Sequence, residues 1–168
     1  MVKPGVHWDT IHLHAHRVLV DEFLKLGIFI GSREKILESG VTAAFFPHGL
    51  GHSLGLDVHD SRQLLKGHVD IPAESNVAPK LYTYLRIRRP LQSGMVLTVE
   101  PGCYFAPQLL EEHGVWSSSL VDQEVLKGYT QVGGVRIEDA IVVRNDGAEN
   151  LTVVRRDRAS VEEMCGGA

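Results

Sequence analysis

The chain has 168 residues, 43% hydrophobic and 23% charged, a balance typical of a globular protein that can bury a core of its own. No apolar run is long enough to cross a bilayer, and the net charge of −4 at pH 7 argues against nucleic acid as a partner, because phosphate binding needs a basic surface. Two cysteines make no disulfide framework and no secretory signal is visible, so a cytoplasmic protein without a membrane partner is expected.

Apolar residues at helical spacing predict a long helix near the start of the chain. Asp9 can cap the beginning of this helix, and Gly27 can end it. Three histidines within the helix, His12, His14 and His16, resemble a metal-binding set at first sight. No acidic or thiol partner lies near them in the sequence, so we interpret them as polar side chains on a solvated face.

The rest of the chain predicts short helices and buried strands that are joined by turns. Short helices are expected at 32–39, 122–127 and 160–163. Strands are expected at 41–46, 95–99, 135–143 and 151–154. A long surface loop is expected over 60–80. Without a repeat or a linker, the pattern predicts one α+β domain over residues 1–168.

The densest group of chemically active side chains lies between Pro47 and Asp60, with three histidines and two aspartates. His48 and His52 are four residues apart, as in a helical zinc pair, but the glycines between them disfavour a helix and no Glu follows His48. Glycines between imidazoles suit a backbone that passes close to a ligand or to another strand. The cluster predicts a functional site, and a hydrogen-bonded structural loop is the alternative.

Two carboxylates lie on strands that are expected to be buried. Glu100 ends the second predicted strand, and Glu138 shares one face of a later strand with Arg136 because side chains alternate. A buried carboxylate is costly unless it is paired or metal-bound. Either carboxylate alone is compatible with a structural role, but together with a histidine they favour a metal site. Oxygen-rich ligation with one imidazole suits Mn²⁺, Co²⁺ or Zn²⁺.

The motifs at 47–60, 98–102 and 134–138 together resemble the pita-bread metallopeptidases, in the branch of Xaa-Pro dipeptidase (prolidase) and aminopeptidase P. The resemblance extends from about Lys3 to about Ser160. It implies the second half of a pita-bread (creatinase/aminopeptidase) fold, which is a curved antiparallel sheet with flanking helices. It also implies an exopeptidase that hydrolyses the Xaa-Pro bond of dipeptides or of peptide N-termini.

The resemblance implies a role for each matching residue. The family's site holds two divalent ions, with Mn²⁺ expected and Co²⁺ or Zn²⁺ as alternatives, and His52, Glu100 and the bridging Glu138 match three of its five ligands. Glu100 is also expected to be catalytic and to take a proton from the nucleophile. His48 and His59 match histidines that contact the substrate and stabilise the tetrahedral intermediate, with His59 donating to the oxyanion.

The resemblance also concerns two arginines and the two Asp ligands of the family. Arg86 matches an arginine that binds the substrate carboxylate, although a solvated charge is the alternative, and Arg136 resembles a buried arginine that orients the bridging glutamate. The family's two Asp ligands belong upstream of the helix that starts near Asp9, so the resemblance implies a truncated C-terminal half with an incomplete site. The activity of the chain alone is left open. A non-catalytic binding module of the same fold is the competing function.

The resemblance also implies partners. Peptides with an Xaa-Pro bond are the expected substrates, and the resemblance allows a homodimer of the full-length form. Nucleic acid and membranes are not expected to be partners.

Overall fold

The structure is a computed structural model that describes residues 1–60 and 76–166. Its helices are α1 (Trp8–Lys25), α2 (Arg33–Ser39), α3 (Pro107–Glu112), α4 (Gln123–Lys127) and α5 (Arg158–Met164). Its strands are β1 (Val96–Val99), β2 (Gly102–Tyr104), β3 (Gly134–Arg136), β4 (Asp139–Val143) and β5 (Ala148–Asn150). None of the helices within the described ranges combines enough length with enough apolar character to span a membrane. Most of the loop predicted for 60–80 lies outside these ranges.

The start of helix α1 differs from the prediction. The helix begins directly after His7, whose side chain forms no capping hydrogen bond with the described residues. The Asp9 carboxylate instead accepts hydrogen bonds from Arg88, far along the chain. At the other end the prediction is confirmed, because Gly27 follows the helix with φ of 74°, a conformation that costs glycine little.

The solvated face predicted for the histidines of α1 is wrong. His12 and His16 are both fully buried, and His14 alone of the three is exposed. The His12 Nε2 atom lies 2.7 Å from the carbonyl oxygen of Leu81, and the His16 ring packs on Phe46 with 4.9 Å between centroids. Residues 12 and 16 are four apart and therefore share one face of the helix, which here is the face toward the core.

Burial decides the protonation of these two rings. Loss of solvent lowers the pKa of His12 to about 4, although its hydrogen bond with Leu81 opposes the change. Burial also lowers the pKa of His16 well below its ordinary value, and the neighbouring His12 adds to the effect. Both rings are therefore neutral in the folded protein at pH 7 and pack as small aromatic groups, with 4.7 Å between their centroids.

The strand predicted for residues 41–46 is also wrong, because Val41–Ala44 forms a short 3-10 helix. Helix α2 before it is confirmed, with the Ser32 hydroxyl accepting a hydrogen bond from the Lys35 amide. Gly40 ends α2 at φ of 66° and turns the chain into the core. A short apolar run has the same composition in a buried strand and in a buried helical turn, so periodicity could not distinguish the two.

The strands form two antiparallel sheets. Strand β4 lies between β1 and β5 in a three-stranded sheet, and β2 pairs with β3 in a second one. The single strand predicted for 135–143 is split into β3 and β4, because its two halves pair with different partners. Glu138 lies at the junction. The hairpin that follows β4 is formed with β5, which precedes the strand predicted at 151–154.

The loop after Pro47 runs along the backbone of β1. A Cβ atom on Gly51 would lie 1.9 Å from the carbonyl oxygen of Thr98, so only glycine fits there. The Glu100 amide donates to the carbonyl of Leu50 at 2.7 Å, and the Thr98 amide donates to the carbonyl of His52 at 2.9 Å. The expectation that glycine permits close approach to another strand is confirmed at this position.

We expect Gly51→Ala to lower the free energy of unfolding by about 1–3 kcal/mol, because the methyl group forces the loop away from β1. Gly147→Ala is the matched control, since a Cβ atom there meets no atom within 4 Å. Chemical denaturation of both variants measures the difference. Equal unfolding midpoints for the two variants would contradict the close approach.

We expect stability to fall as the pH drops from about 6.5 toward about 4. In this window the unfolded chain binds a proton on His12 that the folded protein does not bind. Protonation therefore favours the unfolded chain below about pH 6.5, and above that pH it no longer lowers the free energy of unfolding. One such group costs about 1.4 kcal/mol per pH unit. His12→Gln should make the pH dependence of unfolding shallower, whereas the exposed His14→Gln should not. An unchanged slope in His12→Gln would refute this account.

Candidate metal centre

Three residues from three segments of the chain meet at one point. One ligand atom each of His52, Glu100 and Glu138 lies within 4.8 Å of the other two. His52 and Glu100 are buried, whereas the Glu138 side chain is 41% exposed. The structure therefore brings together the three residues that the sequence analysis named as candidate ligands. Two carboxylates and an imidazole form a donor set that suits a divalent cation.

The orientation of the His52 ring supports the same interpretation. Its Nδ1 atom lies 3.1 Å from the carbonyl oxygen of Ser53, which can only accept, so Nδ1 donates to it and Nε2 is the nitrogen that faces the carboxylates. This Nε2 atom lies 3.4 Å from Glu100 Oε1. A lone pair that faces a carboxylate oxygen is repulsive unless a proton or a cation lies between them. The residues therefore fit a metal ion.

Thr98, which no motif had indicated as a site residue, contacts two of the three candidate ligands. Its hydroxyl donates to Glu100 Oε1 at 2.9 Å and accepts from the backbone amide of His52, also at 2.9 Å. A hydroxyl has one proton, which Thr98 donates to Glu100, and its oxygen lone pairs can then accept the hydrogen bond from the His52 amide. The available signal was the spacing, because residues two apart on a strand share a face.

Arg136 links the two carboxylates. Its Nη1 atom lies 3.8 Å from Glu100 Oε2, and its Nε atom lies 3.6 Å from Glu138 Oε2. The predicted common face of Arg136 and Glu138 is observed even though β3 ends between them. Arg136 is not buried as the resemblance implied, since its side chain is 48% exposed. Its positive charge offsets part of the repulsion between the carboxylates.

A cavity of about 300 Å³ opens beside these ligands. The predicted substrate residues His48, His59 and Arg86 all line it. The other lining residues are two candidate ligands, a further arginine, an exposed tyrosine and two glycines: His52, Glu100, Arg136, Tyr84, Gly49 and Gly51. The His59 ring stands perpendicular to the His52 ring, with 4.3 Å between centroids. Imidazole, guanidinium and carboxylate groups thus share a pocket large enough for a dipeptide-sized group.

Tyr104 is a second residue that sequence reasoning missed. Its hydroxyl lies 2.9 Å from His48 Nε2, and His48 Nδ1 lies 2.9 Å from the carbonyl oxygen of Gly49. Because the carbonyl only accepts, Nδ1 of His48 donates to it and Nε2 accepts from Tyr104. The ring also packs edge-on against Phe46, with 4.9 Å between centroids. The contacts with Gly49, Tyr104 and Phe46 therefore hold the half-buried His48 ring where it lines the cavity, and no sequence spacing linked it with Tyr104.

Comparison with known proteins identifies the family. The model of metallopeptidase family M24 matches residues 1–145. The probable Xaa-Pro aminopeptidase pepP of Talaromyces marneffei is 45% identical over 170 residues, which cover 100% of this chain and 35% of the relative. The chain thus spans about a third of the length of this curated relative.

Solved structures agree. Proline aminopeptidase P II from Yersinia pestis matches 99% of this chain and 31% of its own, with a TM-score of 0.67 and 31% identity. Zinc-substituted aminopeptidase P of Escherichia coli, in complex with product, matches 98% of this chain and 30% of its own, with a TM-score of 0.65 and 32% identity. The predicted α+β pita-bread fold and the resemblance to aminopeptidase P are confirmed, and the chain belongs to metallopeptidase family M24.

Proposed function

We propose that residues 1–168 form part of the catalytic domain of an exopeptidase that hydrolyses the Xaa-Pro bond. The convergence of His52, Glu100 and Glu138 beside a cavity is the observation that carries the proposal. The names of the relatives support the choice of substrate, since the Talaromyces protein is a probable Xaa-Pro aminopeptidase. A non-catalytic binding module has no need of the three donors, and their presence favours the enzyme.

We assign His52, Glu100 and Glu138 as metal ligands, with Mn²⁺ as the proposed ion and Co²⁺ or Zn²⁺ as alternatives. A divalent ion at this position supplies Lewis-acid polarisation and lowers the pKa of water. The exposed Glu138 is the proposed bridge between two ions. Three protein ligands leave coordination positions unfilled, and we propose that carboxylates from outside these 168 residues complete the site.

The other residues of the cavity receive roles that follow from their contacts. Glu100 accepts a hydrogen bond from Thr98 on Oε1, so Oε2 is the oxygen proposed to take a proton from the attacking water. His59 is proposed to donate to the developing oxyanion. Both ring nitrogens of His48 already form hydrogen bonds, with Gly49 and Tyr104. We therefore propose that His48 contacts the prolyl ring through its carbon atoms. Arg86 is proposed to bind the C-terminal carboxylate of a dipeptide.

Metal binding tests the ligand assignment. We expect the chain to bind Mn²⁺ weakly, and Glu100→Gln and Glu138→Gln to weaken that binding at least about tenfold, because each removes a charged donor. Electron paramagnetic resonance of free Mn²⁺ gives the affinities. Glu149→Gln is the control, since it removes the same charge from an exposed ion pair with Arg144. Affinities that match the wild type in both ligand variants would exclude this site.

Peptide binding tests the substrate class. In the presence of Mn²⁺ we expect the chain to bind Ala-Pro in preference to Ala-Ala, with negligible hydrolysis of either, because the three ligands do not complete a two-ion site. Binding is measured by NMR titration and hydrolysis by release of alanine. Equal affinity for the two dipeptides would count against proline specificity. Rapid turnover that Glu100→Gln abolishes would show that the ligand set is already sufficient.

A further inference from the structure

The arginine that faces the cavity is one of three close together in the chain. Residues 81–91 form a segment that starts in the 3-10 helix Pro79–Tyr82 and has no helix or strand beyond it; it contains Arg86, Arg88 and Arg89. Arg86 lines the cavity beside the metal ligands. All three guanidinium groups have the charge that a substrate carboxylate would bind. Contacts with the rest of the fold therefore decide which of the three arginines lines the cavity.

Arg88 is committed to a buried partner on helix α1. Its Nε atom donates to both carboxylate oxygens of Asp9, at 3.0 Å and 2.9 Å. The Asp9 side chain is 3% exposed and that of Arg88 is 17% exposed. The guanidinium also lies 5.1 Å from the centroid of the Tyr82 ring, a distance typical of a cation–π contact. A buried pair of this kind leaves a costly unpaired charge if either partner is removed.

Helix α1 and the residues directly before it also contact the ends of the same segment. The Trp8 amide donates to the carbonyl of Arg89 at 3.2 Å, and the Leu91 amide donates to the carbonyl of Val6 at 2.9 Å. At the opposite end, His12 Nε2 lies 2.7 Å from the carbonyl oxygen of Leu81. The beginning of α1 therefore contacts both ends of the segment, and Asp9 contacts its interior two residues after Arg86.

The segment is also packed against the site. A Cβ atom on Gly49 would lie 2.9 Å from the carbonyl oxygen of Tyr84 and 3.0 Å from Leu85 Cα, so the loop that carries His48 lies directly on it. Leu85 and Ile87 are buried in the core on either side of Arg86. A shift of this segment along α1 would therefore move Arg86 relative to the cavity.

We propose that Asp9 is a positioning residue which, through Arg88, holds Arg86 in place to bind the C-terminal carboxylate of an Xaa-Pro dipeptide. Asp9 pairs with Arg88 and removes it from competition for the substrate, so that the neighbouring guanidinium of Arg86 serves the cavity. This inference deepens the function proposed above and rests on it. Its distinctive consequence is selectivity for a free carboxylate, which a loss of general stability would not change.

The test compares Ala-Pro with Ala-Pro amide, which lacks the terminal carboxylate. Affinities are measured by NMR titration of the 168-residue chain in EDTA, so that no metal-dependent turnover contributes. We expect the wild type to prefer the free carboxylate about tenfold, as one charged hydrogen bond predicts. Asp9→Asn should reduce the preference below about threefold. Asp21→Asn is the matched control, because it makes the same change in an exposed ion pair of α1 with Arg33.

A second variant covers the case in which Asp9→Asn does not fold. Asp9→Leu/Arg88→Met removes both charges and leaves neither unpaired, so the fold is expected to persist while the carboxylate preference falls as in Asp9→Asn. Arg86→Met gives the carboxylate preference that remains when the proposed contact between Arg86 and the substrate carboxylate is removed. If the wild type prefers the carboxylate and the folded Asp9 variants keep that preference, the positioning role is excluded. If the wild type shows no preference, or Arg86→Met retains it, the assignment of Arg86 in the proposed function fails first.

Discussion

The close packing of the loop at 47–60 on strand β1 is the constraint on which the candidate site depends. Gly51 allows the loop to touch the carbonyl of Thr98, and this contact brings the Thr98 hydroxyl to both the His52 amide and the Glu100 carboxylate. One side chain thereby orients two donors. Antiparallel pairing of β1 with β4 then brings the junction with Glu138 alongside Glu100.

The site concentrates charge in a way that requires compensation. Glu100 is almost completely buried, and an isolated carboxylate there would be costly. Thr98 and Arg136 contribute a hydrogen bond and a positive charge, and Nε2 of His52 lies 3.4 Å from Glu100 Oε1. A divalent cation between these two atoms would compensate the carboxylate, as would a proton on Nε2. The arrangement is consistent with membership in metallopeptidase family M24.

Helix α1 contributes to the same architecture from the other side. The rings of His12 and His16 fill the core beneath Phe46, which in turn contacts His48. The pair of Asp9 with Arg88 holds the segment that carries Arg86. Buried polar residues of the helix therefore take part in packing, because Asp9 pairs with Arg88 and burial favours the neutral form of the two imidazoles.

The sequence by itself was sufficient for the α+β class and the family, and it predicted which side chains would be the donors, because residue type and short spacing in three local motifs carry that information. Tertiary structure alone decided which face of α1 is buried, whether residues 41–46 form a strand or a helical turn, and which partner Asp9 has. These outcomes depend on contacts between residues far apart in the chain, as for Asp9 with Arg88 and His48 with Tyr104. Local periodicity reports only which residues share a face of one helix or strand. Contacts between distant segments therefore had to be taken from the tertiary structure.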